Sequence, residues 1–263
     1  MSRPLLRVAA LGYLLALLLA PVGMIAYRTF ANGFSPVWHA LTSANALHAL
    51  YLSLAVTAIA VPINVVFGVG AGVLLARRRM PAGGLVNLLV NLPFAMSPVV
   101  IGLALFVLYG RTGWIGTWLA AHGLQVLFSF PGLVLATAFV CLPFVLREVV
   151  PVLEELGDDQ EQAAETLGAN PMQTFWRITL PSIRWALVYG VVLSAARALG
   201  EYGAVSIVSG NIVGQTQTPP LLVEERFRDF DRTGAYSAGF LLAVISLMIL
   251  AAMTMLSRRK EHP

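Results

Sequence analysis

The sequence predicts an all-α protein of the membrane: a polytopic bundle of six transmembrane helices, with one polar cytoplasmic loop and both termini cytoplasmic. Hydrophobic residues make up 58% of the 263 positions and charged residues only 11%. Mean hydropathy is +0.78, far from a soluble chain, in which about a quarter of residues are charged. The apolar residues are gathered in runs that match the roughly 20 residues a helix needs to cross the hydrocarbon core. Helix is the only open-chain conformation that satisfies backbone polar groups in lipid, so these runs are read as helices.

Six spans follow, approximately Leu5 to Tyr27, Leu47 to Ala76, Leu85 to Tyr109, Val126 to Leu146, Ile183 to Ser209 and Ala235 to Leu256. Arg3 and Arg7 precede the first. Its apolar core exceeds the usual signal-peptide length, and Pro21-Val22 after Ala20 is a poor cleavage context, so it is read as a retained helix. An N-terminus inside places eleven basic residues in the cytoplasm: Arg3, Arg7, Arg77, Arg78, Arg79, Arg147, Arg177, Arg184, Arg258, Arg259 and Lys260. Five are left outside (Arg28, Arg111, Arg226, Arg228 and Arg232), and the positive-inside rule favours this orientation. The formal charge of +4 thus reports topology in a lipid bilayer and not a nucleic-acid partner.

Between the first two spans, the mix of Asn, Gly, Ser, Pro and Trp38 from Phe30 to Asn45 suits a short external connection with an interfacial aromatic. In the second span, Gly68 and Gly72 form a small-xxx-small pair that lets helix backbones approach. The third contains Asn87 and Asn91, then Pro93 and Pro98, which bend the axis and free carbonyls. The bend suits either a pathway lining or a packing kink. In the fourth, Cys141 has no partner for a disulfide and acts as a small apolar residue.

From Arg147 to Arg184 the composition changes. No acidic residue precedes Glu148, yet Glu148, Glu154, Glu155, Asp158, Asp159, Glu161 and Glu165 follow within this interval. Gly157 suits a helix stop, and Asp158 with Glu161 suits a capping box opening a short helix that runs to about Leu167 and ends at Gly168. Ala163, Ala164 and Leu167 share one face of it, a shallow apolar patch that suits docking into a partner's groove.

The fifth span holds the intramembrane ionisable groups, Arg197 and Glu201, four residues apart on one helix face. Such groups are expensive at that depth and mark function by default. Arg197 could attract an anion in a water-filled pathway, or the pair could be a structural bridge; the bridge is preferred because a matched partner is at hand. The external stretch after Ser209 carries mixed charge and suits a protein contact.

Enzymatic chemistry finds no residues to work with. The sole lysine is Lys260, so the phosphate-binding G-x-x-x-x-G-K-[ST] element cannot be present. The histidines lie at or outside span ends, and no metal-ligand or Ser/His arrangement is apparent.

Residues Gln162 to Pro181, "QAAETLGANPMQTFWRITLP", resemble the loop signature of permease subunits in type I ABC importers: E-A-A, three residues, G, nine residues, I-x-L-P. The leading Glu of that signature is Gln162 here, with Glu161 one position earlier. "LPFAMSPVVIGLALFVLYGRTGW", "FPGLVLATAFVCLPFVLREVVPVLEELG" and "ARALGEYGAVSIVSGNIVG" are similar to permeases of bacterial sulfate/thiosulfate importers, and "GQTQTPPL" to their W-type subunit. The resemblance implies residues 1–46 as an N-terminal helix and external loop, 47–257 as the type I transmembrane domain and 258–263 as a cytoplasmic tail. It implies a coupling loop at Glu161, Gln162, Ala163, Ala164 and Gly168. The implied partners are a cytoplasmic ABC ATPase dimer that binds the ATP, a sister permease and an extracytoplasmic sulfate-binding protein, in the inner membrane. This chain itself would carry no cofactor and no metal. A molybdate or tungstate permease is the near alternative, and an ion-coupled anion transporter the far one.

Overall fold

The computed structural model describes residues 3–77 and 83–258, and every regular element among them is helical. Arg78, Arg79, Arg259 and Lys260, all counted above as cytoplasmic, lie outside the described residues, as does all but the first residue of the 258–263 tail.

In chain order the helices are α1 (Arg3–Phe30), α2 (Phe34–Leu41), α3 (Ala44–Ala76), α4 (Gly83–Ala95), α5 (Pro98–Tyr109), α6 (Gly116–Ala121), α7 (Phe130–Leu156), α8 (Asp159–Thr166), α9 (Pro171–Thr174), α10 (Leu180–Leu199), α11 (Gly203–Val208), α12 (Pro219–Arg228) and α13 (Arg232–Arg258). A π-helical turn, Phe175–Thr179, joins α9 to α10. By length and composition four stretches can cross a membrane: Ala44–Ala76, Phe130–Leu156, Pro171–Leu199 and Arg232–Ala251. Six spans result if the bent pairs α1–α2 and α4–α5 each count as one.

Several expected boundaries move. The third span is two helices, bent by 112° between α4 and α5. Pro98 opens α5 without a backbone N–H, and Ser97 before it is held extended at ψ 137°. The fourth span does not stop at Leu146. Helix α7 runs ten residues further, because Val145, Val149 and Leu153 keep a buried stripe going at intervals of four while charged neighbours face outward. Arg147, Glu148, Glu154 and Glu155 therefore stand on a helix and not in a loop. The fifth span starts earlier, at Pro171, and is interrupted at Gly200, before α11. The external stretch holds α12, whose Leu221 and Leu222 are buried against α3 and α13. Arg226 of α12 donates to the Ala40 carbonyl and to Ser43 Oγ at 2.9 Å, fastening it to the α2–α3 corner.

The densest packing is where α3, α7 and α10 meet. A Cβ on Gly68 would stand 2.8 Å from Val145 Cβ, and one on Gly190 would stand 2.8 Å from Val145 Cα. Glycine on both flanking helices thus allows both to close on one valine of α7. Gly72, one turn along α3, faces Val149 in the same way. Val69, Val149, Leu153 and Ile183 extend this contact into a core that reaches the acidic end of the bundle.

Candidate functional site

Two clusters of charged side chains are built into the bundle, one at its acidic end and one at the break in the fifth span. At the acidic end, α7 stops at Gly157 with φ +64° and α8 begins after Asp158. Asp158 makes no side-chain cap bond, so the expected capping box does not form. Glu161 is turned the other way. Its Oε2 accepts from Arg77 Nε at 2.9 Å and its Oε1 from Arg77 Nη2 at 3.0 Å. Oε1 also accepts from Thr179 Oγ1 at 2.7 Å, and Arg77 Nη1 donates to the Leu153 carbonyl at 2.8 Å. Both charged side chains are more than nine-tenths buried. The fork of a guanidinium matches a carboxylate in this bidentate way, which is the strongest geometry the pair can adopt. One cluster thereby ties the end of α3, the last turn of α7, α8 and the π turn.

With Glu161 committed inward, the outward positions of α8 go to Gln162 and Ala163, while Ala164 is half-buried. Leu167, which closes the helix, is 88% exposed. Gly168 follows at φ +85°, and nothing within the chain stands near where its Cβ would be. The glycine answers the left-handed turn, and no close approach within this chain requires it. Asn170 then opens α9 with a full capping box: its Oδ1 accepts from Gln173 N at 2.9 Å, and Gln173 Oε1 accepts from Asn170 N at 3.0 Å. The N-P-x-Q spacing is the signal for it, with proline at the first helical position. Met172 and Trp176 are exposed beyond it and touch through Sδ and Nε1. The outward surface of the loop is therefore polar at Asp159, Gln160, Gln162 and Glu165 and apolar at Ala163, Leu167, Met172 and Trp176.

At the break, Arg197 Nη1 stands 2.6 Å from Glu201 Oε2. The pair does not run along one continuous helix, because α10 ends at Leu199. Glu201 lies in the gap, fully buried, and its Oε1 accepts the Ala204 N–H at 2.8 Å in the first turn of α11. One carboxylate oxygen thus neutralises Arg197 and the other satisfies a backbone donor that the interruption exposes. The gap faces the corresponding gap in the third span: a Cβ on Gly203 would stand 2.8 Å from Pro98 Cβ, and one on Gly102 would stand 3.0 Å from Ala204 Cα. One turn from the glycine crossing, Asn64 on α3 and Ser194 on α10 are fully buried with side chains that have no hydrogen-bond partner. No group of three metal-ligating side chains occurs among the described residues.

The family model for the inner membrane component of binding-protein-dependent transport systems matches residues 64–262. The chain belongs to that family. Its relatives in the same transport-system family are named as permeases. The sulfate transport system permease protein CysW of Synechocystis sp. (strain ATCC 27184 / PCC 6803 / Kazusa) is 47% identical over 258 residues, covering 98% of this chain and 94% of that one. CysW of Escherichia coli (strain K12) is 45% identical over 246 residues, 94% and 84% of the two chains. CysT of the same strain is 37% identical over 243 residues, 92% and 88%. The fold matches a chain in the crystal structure of a bacterial alginate ABC transporter in complex with alginate pentasaccharide-bound periplasmic protein, with TM-score 0.77, 17% identity and coverage of 98% and 94%. That likeness concerns architecture alone.

Sequence reasoning anticipated the short helix α8, the turn at Gly168 and the Arg197–Glu201 contact, and missed Arg77 as the partner of Glu161. An arginine at the end of one span and a glutamate 84 positions later carry no local pattern that joins them.

Proposed function

We propose that this chain is the W-type permease subunit of an ATP-driven importer that moves sulfate, with thiosulfate as a second substrate, across the inner membrane by alternating access. The observation that carries the proposal is the 47% identity, over almost the whole length, to a protein named as a sulfate permease. Identity is lower, at 37%, to the T-type relative from Escherichia coli. We place both termini in the cytoplasm, a reading supported by the distribution of basic residues, and this puts α8 there with them. Residues 47–257 form the transport unit, preceded by α1 and its external connection, and residues 258–263 are the tail.

In this reading the surface carrying Gln162, Ala163, Ala164 and Gly168 docks in a cleft of a cytoplasmic ATPase dimer, with Glu161 anchoring it from behind. The exposed apolar groups around it support docking, since an apolar face left open beside acidic residues suits a partner's groove. Gln162 keeps hydrogen-bonding capacity and carries no charge, so the contact there is not an ion pair. A sister permease completes the bundle and an external sulfate-binding protein delivers the anion. The Arg197–Glu201 pair is a structural bridge that holds the broken fifth span in register.

The test is uptake of labelled sulfate in cells stripped of their own sulfate permeases and expressing the four components, with excess molybdate as competitor. ATP-dependent uptake that requires this chain and resists molybdate is the expected result. Loss of uptake to molybdate would move the substrate to that oxyanion, and gradient-driven uptake without the ATPase would overturn the assignment.

A further inference from the structure

The expected end of the fourth span placed Arg147 at the membrane edge. In the structure it stands nine residues before the end of α7, about 14 Å of helix. Its neighbour Leu146 packs into a buried cluster with Ala71 of α3 and Val90 of α4. Arg147 itself is exposed, on the side of α7 that faces α4.

The guanidinium is held in place. Nε donates to Asn91 Oδ1 at 2.9 Å, and Asn91 is fixed in turn, its Nδ2 donating to Asn87 Oδ1 at 2.8 Å and to the Asn87 carbonyl at 2.7 Å. The plane lies 4.0 Å above the Phe94 ring. Nothing takes the Nη edge, and no carboxylate lies within ion-pair distance among the described residues. Three other arginines of the bundle differ. Arg77 and Arg197 face carboxylates, and Arg226 gives its Nη atoms to Ala40 and Ser43.

A cation at the edge of an apolar span is expensive unless it meets a counter-charge, water or a lipid headgroup. This one is fixed by three neutral groups, Asn91, Asn87 and Phe94, which orient it and leave its charge intact. Phe94 and Asn91 also belong to the helix that breaks at Met96, and interrupted helices are where transporters expose polar groups to cargo. An edge of planar donors, pre-oriented and unneutralised, fits the oxygens of a tetrahedral oxyanion.

We propose that Arg147, oriented by Asn91 and Phe94, is a binding site for a tetrahedral oxyanion on the exposed face between α4 and α7. Two sources share this chemistry: the transported anion, which rests on the function proposed above, and the phosphate of a membrane phospholipid.

The experiment compares wild type and Arg147→Gln in the complete purified transporter, reading the KM for labelled sulfate in proteoliposomes and the phospholipid phosphate retained in detergent. A KM raised about 10-fold or more with unchanged retained phosphate assigns the site to the transported anion. An unchanged KM with reduced retained phosphate assigns it to lipid. Wild-type values for both overturn the site. If the wild-type complex fails to import sulfate, the function proposal falls, and the retained phosphate still decides the site. Arg147→Lys keeps the charge and loses the Nε bond to Asn91; it serves if the glutamine variant does not accumulate, and wild-type KM and phosphate content would again overturn the site.

Discussion

Replacing Glu161 by glutamine removes one charge from a cluster almost wholly withdrawn from solvent. The Arg77 and Glu161 side chains are 6% and 9% exposed, and the carboxylate accepts hydrogen bonds from Arg77 Nε and Nη2 and from Thr179 Oγ1. Glutamine keeps the shape and can still accept at Oε1, yet it leaves the Arg77 guanidinium buried without its counter-charge. Breaking a buried pair from one side costs about 3–5 kcal/mol. This cost falls on the attachment of α8 to the bundle and not on the glycine crossing deeper in, so folding should survive while the loop loosens. Removing both charges, as in Arg77→Leu with Glu161→Leu, leaves no orphaned charge, only the Leu153 carbonyl and the Thr179 hydroxyl without their partners, and the pair should show a coupling energy above about 2 kcal/mol in a double-mutant cycle. The assays are hydrogen exchange of the α8 amides and sulfate imported per ATP hydrolysed by the assembled transporter. Faster exchange and a lower ratio in Glu161→Gln, both partly restored in the double leucine variant, are expected. Wild-type exchange and a wild-type ratio in Glu161→Gln would refute the anchoring role, as would strictly additive single variants.

Gly168→Arg places a bulky cation at a φ of +85° on the outward surface of the loop; membrane insertion should be intact and sulfate uptake lost, checked by a membrane-fraction blot beside the uptake assay. Arg197→Ala orphans the fully buried Glu201 carboxylate and should reduce folded protein in the membrane by several-fold; normal levels with lost transport would instead make Arg197 an anion ligand. Gly190→Val drives a branched side chain into Val145 backbone, separating α10 from α7, and should lower the midpoint of thermal unfolding in detergent, with a cost of about 1–3 kcal/mol. Asn64→Leu replaces a buried amide that has no hydrogen-bond partner by an apolar side chain of similar size, and should leave thermal stability unchanged or raised; a large loss would reveal a partner for that amide.

Much of the fold is legible because lipid leaves few choices: apolar runs of sufficient length become helices, and α3 and α13 lie close to where hydropathy puts them. The loop was legible because Gly157 and Gly168 both take the positive φ that glycine serves. What hydropathy hides is where a helix continues past the apolar run. On α7 the buried stripe through Val149 and Leu153 outlasts the drop in hydropathy at Arg147, so a running average ends the span too early. The bend of the third span was legible in its prolines, but its size and place were not: Pro93 sits within α4 without ending it, and the 112° turn falls just before Pro98, which opens α5. The Arg77–Glu161 contact joins chain positions too distant for any local pattern, and the inward turn of Glu161 decided which neighbour stands outward on α8.

Because Gly68 and Gly190 press on the same valine from opposite helices, Val145 is a natural fulcrum for α7. Helix α7 extends about 17 Å from it toward the acidic loop and about 22 Å the other way, toward Phe130. A rigid rocking of α7 about that point would enlarge any displacement of the loop end by roughly 1.4-fold at the far end. A push of a few ångströms applied near α8 would thus reappear, reversed in direction and slightly larger, on the opposite side of the membrane.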